Sequence, residues 1–388
     1  MKKKFYIFLY VGILILLVSC QKVPEEVMEN TNSGDKIEQG SVDTNYDTLE
    51  NIYKSYEQVK SNTYDNLNFS TDFSINMPEE IGLLTFKQTE HFYDNNKELL
   101  NQFVKNVNTD LIMETDANAY MTGMQYNDVK KNESFSICNN GFFFYEKYKY
   151  SDWINVENRD LVDYTLMDEI FMRKTNQNYT TETYDWNHKT FTLSDVIQTA
   201  SNYVKEMASP YDTMDWIPEN IKIYQYTSGE FFFRLAFTKS YKDVHLFYNN
   251  WGNKANTMKE PYVRVYQPIL VMDSSLKVFF IDNYPGIIEY VETKETYDKI
   301  ITLEYATEKL SELLSSYRRY SVQWISLEYR LILEGGIVSG DTINDTSVAG
   351  NVYEARPCWT FYLNNDPNNL IFAMVDCVTG EIEFVCNN

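Results

Sequence analysis

Phe231-Phe232-Phe233-Arg234-Leu235-Ala236-Phe237-Thr238 and Ile325-Ser326-Leu327-Glu328-Tyr329-Arg330-Leu331 are the two runs on which the fold turns. In the first, Phe231, Phe233, Leu235 and Phe237 share one face, with Arg234 and Thr238 on the other. In the second, Ile325, Leu327, Tyr329 and Leu331 alternate with Ser326, Glu328 and Arg330. A period of two sends alternate side chains to opposite faces of a strand. One apolar and one polar face is the pattern of an antiparallel sheet that packs a helix on one side only.

Each run has a helical pattern upstream. Thr192 and Asp195 form a near capping box ahead of Leu193, Val196, Ile197, Ala200, Tyr203, Val204 and Met207. Thr302 stands in the same place ahead of Leu303, Ala306, Leu310, Leu313, Leu314 and Tyr317. Strands are expected at 221–226, 231–239, 262–272 and 276–282 after the first helix. After the second they are expected at 321–334, 355–363, 370–377 and 381–386. Both series end alike, in Val271-Met272-Asp273-Ser274-Ser275 and in Val375-Asp376-Cys377-Val378-Thr379-Gly380. In each, a strand stops at an Asp whose carboxylate is suited to bonding the N–H groups of a tight turn.

The expected fold class is therefore α+β, with helices packed on antiparallel sheets. Two helix-plus-four-strand units, 186–290 and 291–388, would follow an N-terminal α+β region at 46–185. In that region a helix is expected at 46–60 (Leu49, Ile52, Tyr53, Tyr56, Val59) and a strand at Phe69–Ile75. Leu99, Leu100, Phe103, Val104 and Val107 suggest a short amphipathic helix. A hairpin should span Phe135–Tyr150 with its turn at Asn139-Asn140-Gly141. A helix at 160–173 would close the region.

Ala355-Arg356-Pro357-Cys358-Trp359-Thr360-Phe361, Ala373-Met374-Val375-Asp376 and Thr379-Gly380-Glu381-Ile382 resemble the tail of PepSY-like domains. The likeness covers about the last 90 residues and, more faintly, 190–285. The whole chain is also similar to uncharacterised lipoproteins of clostridia and their relatives. PepSY-like modules occur in extracytoplasmic proteins that inhibit proteases or modulate membrane sensors. The resemblance thus implies interaction rather than catalysis and carries no catalytic residues with it.

The chain opens with Lys2, Lys3 and Lys4, runs apolar from Phe5 to Val18, and reaches Ser19-Cys20. A basic start, a short apolar core and a small residue before the cut make a secretory signal. The apolar run falls short of the ~20 residues an ordinary membrane span needs. Leu17-Val18-Ser19-Cys20 resembles the lipobox of bacterial lipoproteins, in which the cysteine is acylated and becomes the new N-terminus. Residues 1–20 are read as a lipoprotein signal peptide, with Cys20 as the lipidated residue. Residues 21–45, rich in Glu, Asp, Asn, Ser and Gly, are read as an acidic tether that cannot bury enough apolar surface to fold. The expected location is the extracytoplasmic face of a cell membrane, in a Gram-positive host.

The 388 residues carry a net charge of −22, which argues against nucleic acid and anionic lipid as partners. The 32 Tyr and 23 Phe suit a carbohydrate binder, but A/T-rich codons supply these residue types as well. After Cys20 come Cys138, Cys358, Cys377 and Cys386, with no Cys-x-x-Cys pair. A turn at Asn364–Asn369 would set Cys358 and Cys377 on one sheet face and allow a disulfide. Small buried thiols are the plainer reading.

Chemistry is sparse. His91, His188 and His245 are far apart in sequence and in no His-Glu-x-x-His arrangement, so no metal ligand set is assigned. No Gly-x-Ser-x-Gly elbow and no phosphate-cradling glycine loop is present. Ser274-Ser275-Leu276-Lys277 matches Ser-x-x-Lys but falls in a turn rather than at a helix start. Asp168 and Glu169 are adjacent and would diverge on a helix. Gly340–Asp345 has oxygen ligands without calcium-loop spacing.

No catalytic residue and no cofactor is therefore expected. The reading is a lipid-anchored, non-enzymatic interaction or regulatory module with an envelope or membrane protein as partner. The alternatives are a lipoprotein that binds glycan or peptide, through rings such as Phe142–Tyr145, Tyr148, Tyr150 and Trp153, and an envelope hydrolase with an unfamiliar site.

Overall fold

Both faces of the two decisive strands are buried, and that single fact reshapes the architecture. Along Phe231–Tyr241 only Arg234 and Tyr241 reach partial exposure. Along Tyr320–Leu333 the positions expected to face water, Glu328 and Arg330, are 0% and 6% exposed. A strand buried on both sides lies inside a β structure rather than between a helix and solvent.

The computed structural model describes residues 45–70, 72–115, 123–147, 164–173, 182–186, 189–207, 212–248, 263–264, 266–283, 286–314, 319–334, 344–345, 349–363 and 371–385. The early strands are β1 (Tyr46–Asp47), β2 (Leu67–Phe69), β3 (Gly82–Gln88), β4 (Ile112–Thr115), β5 (Gly123–Asp128), β6 (Glu133–Cys138), β7 (Phe143–Lys147) and β8 (Tyr164–Phe171). The middle of the chain holds β9 (Thr183–Trp186), β10 (Lys189–Thr192), β11 (Asp215–Tyr226), β12 (Phe231–Tyr241), β13 (Val244–Leu246), β14 (Val263–Arg264), β15 (Ile269–Asp273) and β16 (Val278–Asp282). The last are β17 (Ile288–Thr296), β18 (Ile300–Ile301), β19 (Tyr320–Leu333), β20 (Asn344–Asp345), β21 (Val352–Leu363), β22 (Ile371–Asp376) and β23 (Ile382–Val385). Helices are α1 (Leu49–Ser61), α2 (Phe92–Asn95), α3 (Leu99–Phe103), α4 (Leu193–Met207) and α5 (Leu303–Leu313).

Seventeen strands join in one connected set of pairings. One arm runs β8-β11-β12-β15-β16-β7-β6-β5-β4. The other centres on β19 and β21, with β22-β23 and β3-β17 branching from β21. Long strands make the branches: β12 pairs with β15 along Phe232–Ala236 and with β13 at Ser240 and Tyr241. β13 and β2 pair parallel with β19, so the sheet is mixed, and β13 links the two arms. No described pairing returns one arm to its start, so these strands form a branched sheet rather than a ring.

The α+β expectation is corrected accordingly: the protein is mostly β, and the tandem helix-plus-sheet units are not its organising principle. α4, α5 and the strands after them fall close to their expected spans. What sequence patterning missed is that the sheets do not end at unit edges. β16 pairs with β7, and β3 pairs with both β17 and β21. The expected helix at 160–173 is strand β8, which takes the open edge of β11 from Asn220 to Tyr226. An available edge outweighs the helix propensity of its Leu, Met and Glu. The strand expected at Phe69–Ile75 stops at Phe69, although Phe73 and Ile75 remain buried.

Local signals hold where they are strong. Thr192 Oγ1 accepts from the Asp195 N–H while the Asp195 carboxylate accepts from the Thr192 N–H, a complete capping box. Gly141 turns the β6–β7 hairpin at φ +77°, where an added Cβ would stand 2.7 Å from Ile287 Cβ. Thr302 caps α5 by accepting from the Tyr305 N–H. Thr302→Ala should lower stability by about 1 kcal/mol. The check is a shifted urea midpoint at unchanged slope.

Candidate functional site

Arg173, just past β8, enters the interior where β11, β13, β19 and β21 converge. Its Nε lies 2.5 Å from Glu219 Oε1, and its Nη1 donates to Glu328 Oε1 at 2.8 Å. Its Nη2 donates to His245 Nδ1 at 3.0 Å. Tyr362 donates to Glu328 Oε1 at 2.7 Å, and the guanidinium sits 5.4 Å from the centre of the Tyr362 ring. Glu219 and Glu328 are 2% and 0% exposed. Burial pushes the Glu219 carboxyl above its usual range, and Arg173 only partly offsets that. Burial works against the Arg173 charge too, but Glu219, Tyr362 and Glu328 hold it firmly protonated.

The network fixes His245. A guanidinium has no acceptor, so His245 Nδ1 must accept from it and the ring proton must sit on Nε2. Burial, with Arg173 beside it, pushes the imidazole pKa down to about 3. His245 is therefore a neutral N–H donor throughout the physiological range. Its ring lines a cleft of about 390 Å³ walled by Tyr53, Ile75, Met77 and Ile217, with Asn76 and Asp243 at the rim. The β12–β13 turn presents Asp243 with Lys242 and Asp243 at φ 48° and 65°. Two left-handed residues make the tight hairpin turn that matches strand twist, a conformation Asp tolerates and Lys disfavours. The cleft thus brings the His245 ring, Ser240 and the Asn76 amide together with the Asp243 carboxylate.

A second buried charge pair lies nearby on β12. Lys239 Nζ is 2.5 Å from Asp212 Oδ2, and the two side chains are 0% and 1% exposed. Trp216 Nε1 and the Met214 N–H donate to the same carboxylate, and Lys239 also donates to the Gly286 carbonyl. Burial pushes the Lys239 pKa down, opposed by Asp212. With its partners satisfied, this pair reads as a clamp that ties β12 to the Asp212 and Gly286 loops.

Of the residues singled out from sequence, Cys20 and His188 lie outside the described residues. Of the two readings of Cys358 and Cys377, the structure has the plainer one: both thiols are free and buried, and the possible disulfide is not formed. Register sets Cys358 opposite Asp376, one residue away from the pairing a bridge needs, and adjacent strand residues face opposite ways. Asp273 and Asp376 open their turns, Asp273 accepting from the Ser275 and Lys277 N–H groups and Asp376 from those of Val378 and Thr379. Ser274–Lys277 is that first turn, with no helix. Asp168 and Glu169 stand on β8, where Glu169 pairs with Lys222 at 3.2 Å. His91 is exposed. Gly340–Ile343 lie outside the described residues, as do Tyr148, Tyr150 and Trp153. Phe143 and Tyr145 are buried in the core and offer no flat platform to a sugar.

Arg173, Glu219 and Glu328 were not found from sequence. Their one trace is charge inside apolar strand runs, as in Trp216-Ile217-Pro218-Glu219-Asn220-Ile221. Among the described residues no cluster of His, Cys, Asp and Glu is arranged to hold a metal, and no helix is long and apolar enough to cross a membrane. No protein-family model, no curated protein and no solved structure matches the chain.

Proposed function

We propose that this is an extracytoplasmic lipoprotein, anchored through Cys20, that holds a segment of a partner protein in the His245 cleft and catalyses no reaction on it. The observation that carries this reading is the orientation of His245. A general base needs a pKa near the working pH and a free nitrogen. His245 has its Nδ1 occupied by Arg173 and a pKa far below neutrality, so it can donate a hydrogen bond but is a poor proton acceptor. A peptide supplies the complement: a carbonyl for Nε2–H, an N–H or ammonium for Asp243, and apolar side chains for Tyr53, Met77 and Ile217. The net charge of −22 favours a basic partner segment.

Terminal strands add apolar surface that suits such contact. Met113, Leu166, Met167 and Val291 are about half exposed, at 45–54%, on β4, β8 and β17. Each of these strands has one described pairing partner. Exposed apolar residues on a strand edge are a liability that a binding partner removes.

A photo-crosslinking residue at Asn76, on the cleft rim, should capture a discrete membrane or envelope protein in living cells. His245→Phe, which removes the donor and keeps the bulk, should weaken that adduct. Equal capture by both forms would sink the cleft reading. Cys20→Ala should abolish incorporation of labelled fatty acid and release the protein from the membrane; a variant still labelled and still bound would refute the anchor.

A further inference from the structure

The larger cleft lies far from His245 in sequence and has a different chemistry. It encloses about 690 Å³ between α3, the strand pair β4–β5 and the turn after Val104. Leu100, Val104 and Met124 form its floor and are 1–4% exposed. Lys97 and Lys105 stand exposed at its rim, with Glu114 across from them.

The charges do not cancel. Tyr93 donates to Glu114 Oε1 at 2.8 Å, and Lys97 lies 3.5 Å from the same oxygen. Lys97 also sits 4.6 Å from the centre of the Tyr93 ring. Glu114 and Lys97 therefore neutralise each other. Lys105 has no carboxylate partner among the described residues. In a chain with 34 basic against 56 acidic residues, this leaves one cation over a hollow whose apolar floor is edged by Asn101, Asn106 and Thr109.

We propose that this cleft binds an alkyl chain ending in a carboxylate, with the chain against the half-buried Val107 and Ile112 above the Leu100, Val104 and Met124 floor and the carboxylate at Lys105. Branched aliphatic walls with an adaptable methionine suit a flexible chain of no fixed shape. The lysine supplies a point charge rather than a planar fork, which is enough for an anion held mainly through its tail.

The test uses the purified full-length protein and the rate at which an amine-acylating reagent modifies Lys105, read by peptide mass spectrometry. Octanoate at a few times its dissociation constant should slow that modification about threefold or more. Acetate, which has the charge without the chain, and octyltrimethylammonium, which has the chain with the opposite charge and no amine to acylate, should leave it unchanged. Asn101→Trp places a ring in the mouth from an exposed position, so the core is untouched, and should remove the octanoate effect. An inert octanoate would overturn the proposal. So would acetate matching it, which would mark a surface anion effect only, or protection that survives in folded N101W. None of these readouts depends on the His245 cleft.

Discussion

Arg173→Met is expected to lower unfolding free energy by about 3–5 kcal/mol, because it strands two carboxylates in the interior. Glu219 and Glu328 are 2% and 0% exposed, and Arg173 is the cation between them. The loss should depend on pH in a defined direction. The Glu219 carboxyl already titrates above its unfolded value, and removing Arg173 raises it further. The folded variant then keeps a proton that the unfolded chain gives up. Stability accordingly falls as pH rises through that interval. Urea melts of R173M at acid and neutral pH should show the deficit shrinking toward acid. Adding Glu219→Gln and Glu328→Gln should recover most of it, since neutral amides need no counter-charge. A deficit under about 1 kcal/mol, the same at both pH values, would mean that the network carries little of the fold's stability.

Glu146→Gln should do the reverse and stabilise the protein, by about 2–3 kcal/mol near pH 8. Glu146 sits on β7 at 3% exposure, and no hydrogen bond reaches its Oε1 among the described residues. Burial pushes its pKa up to about 7 from the ordinary 4.5. Between those values the native state retains the proton and the unfolded chain has lost it. The burial penalty is thus absent below 4.5 and complete above 7. Glutamine keeps the shape and carries no charge. The two proteins should melt alike near pH 4 and separate progressively toward pH 8, most of the change falling between pH 4.5 and about 7. Equal melting at both ends would show that water or a proton donor already relieves Glu146.

Several elements were legible because their cause is local. The α4 capping box needs Thr192 and Asp195 three residues apart, and the chain displays both. The turns at Asp273 and Asp376 need a carboxylate that reaches N–H groups two to four residues on, and Gly380 supplies φ +72°. The β6–β7 hairpin is announced by Asn139-Asn140-Gly141. The candidate site was not legible in this way. Arg173, Glu219, His245, Glu328 and Tyr362 come from five segments, and no spacing relates them. On alternation alone, Glu328 and Arg330 looked like a solvated face. They are buried where Arg173 and Tyr362 close on Glu328, and where Glu383 pairs with Arg330.

The amino-acid sequence by itself determined α1, α4, α5 and the turns at Gly141, Asp273 and Asp376, since helical periodicity, capping and turn chemistry act over a few residues. It also carries the basic, apolar, Ser19-Cys20 opening on which the proposed anchor rests. Only the tertiary structure decided which strand edges meet. That choice turned residues 164–171 from expected helix into strand, set Cys358 opposite Asp376, and closed both faces of β12 and β19. The physical reason is that backbone edges are chemically alike. Any strand can pair with any other, so the choice depends on which side chains distant segments bury together, and periodicity within one strand does not specify that.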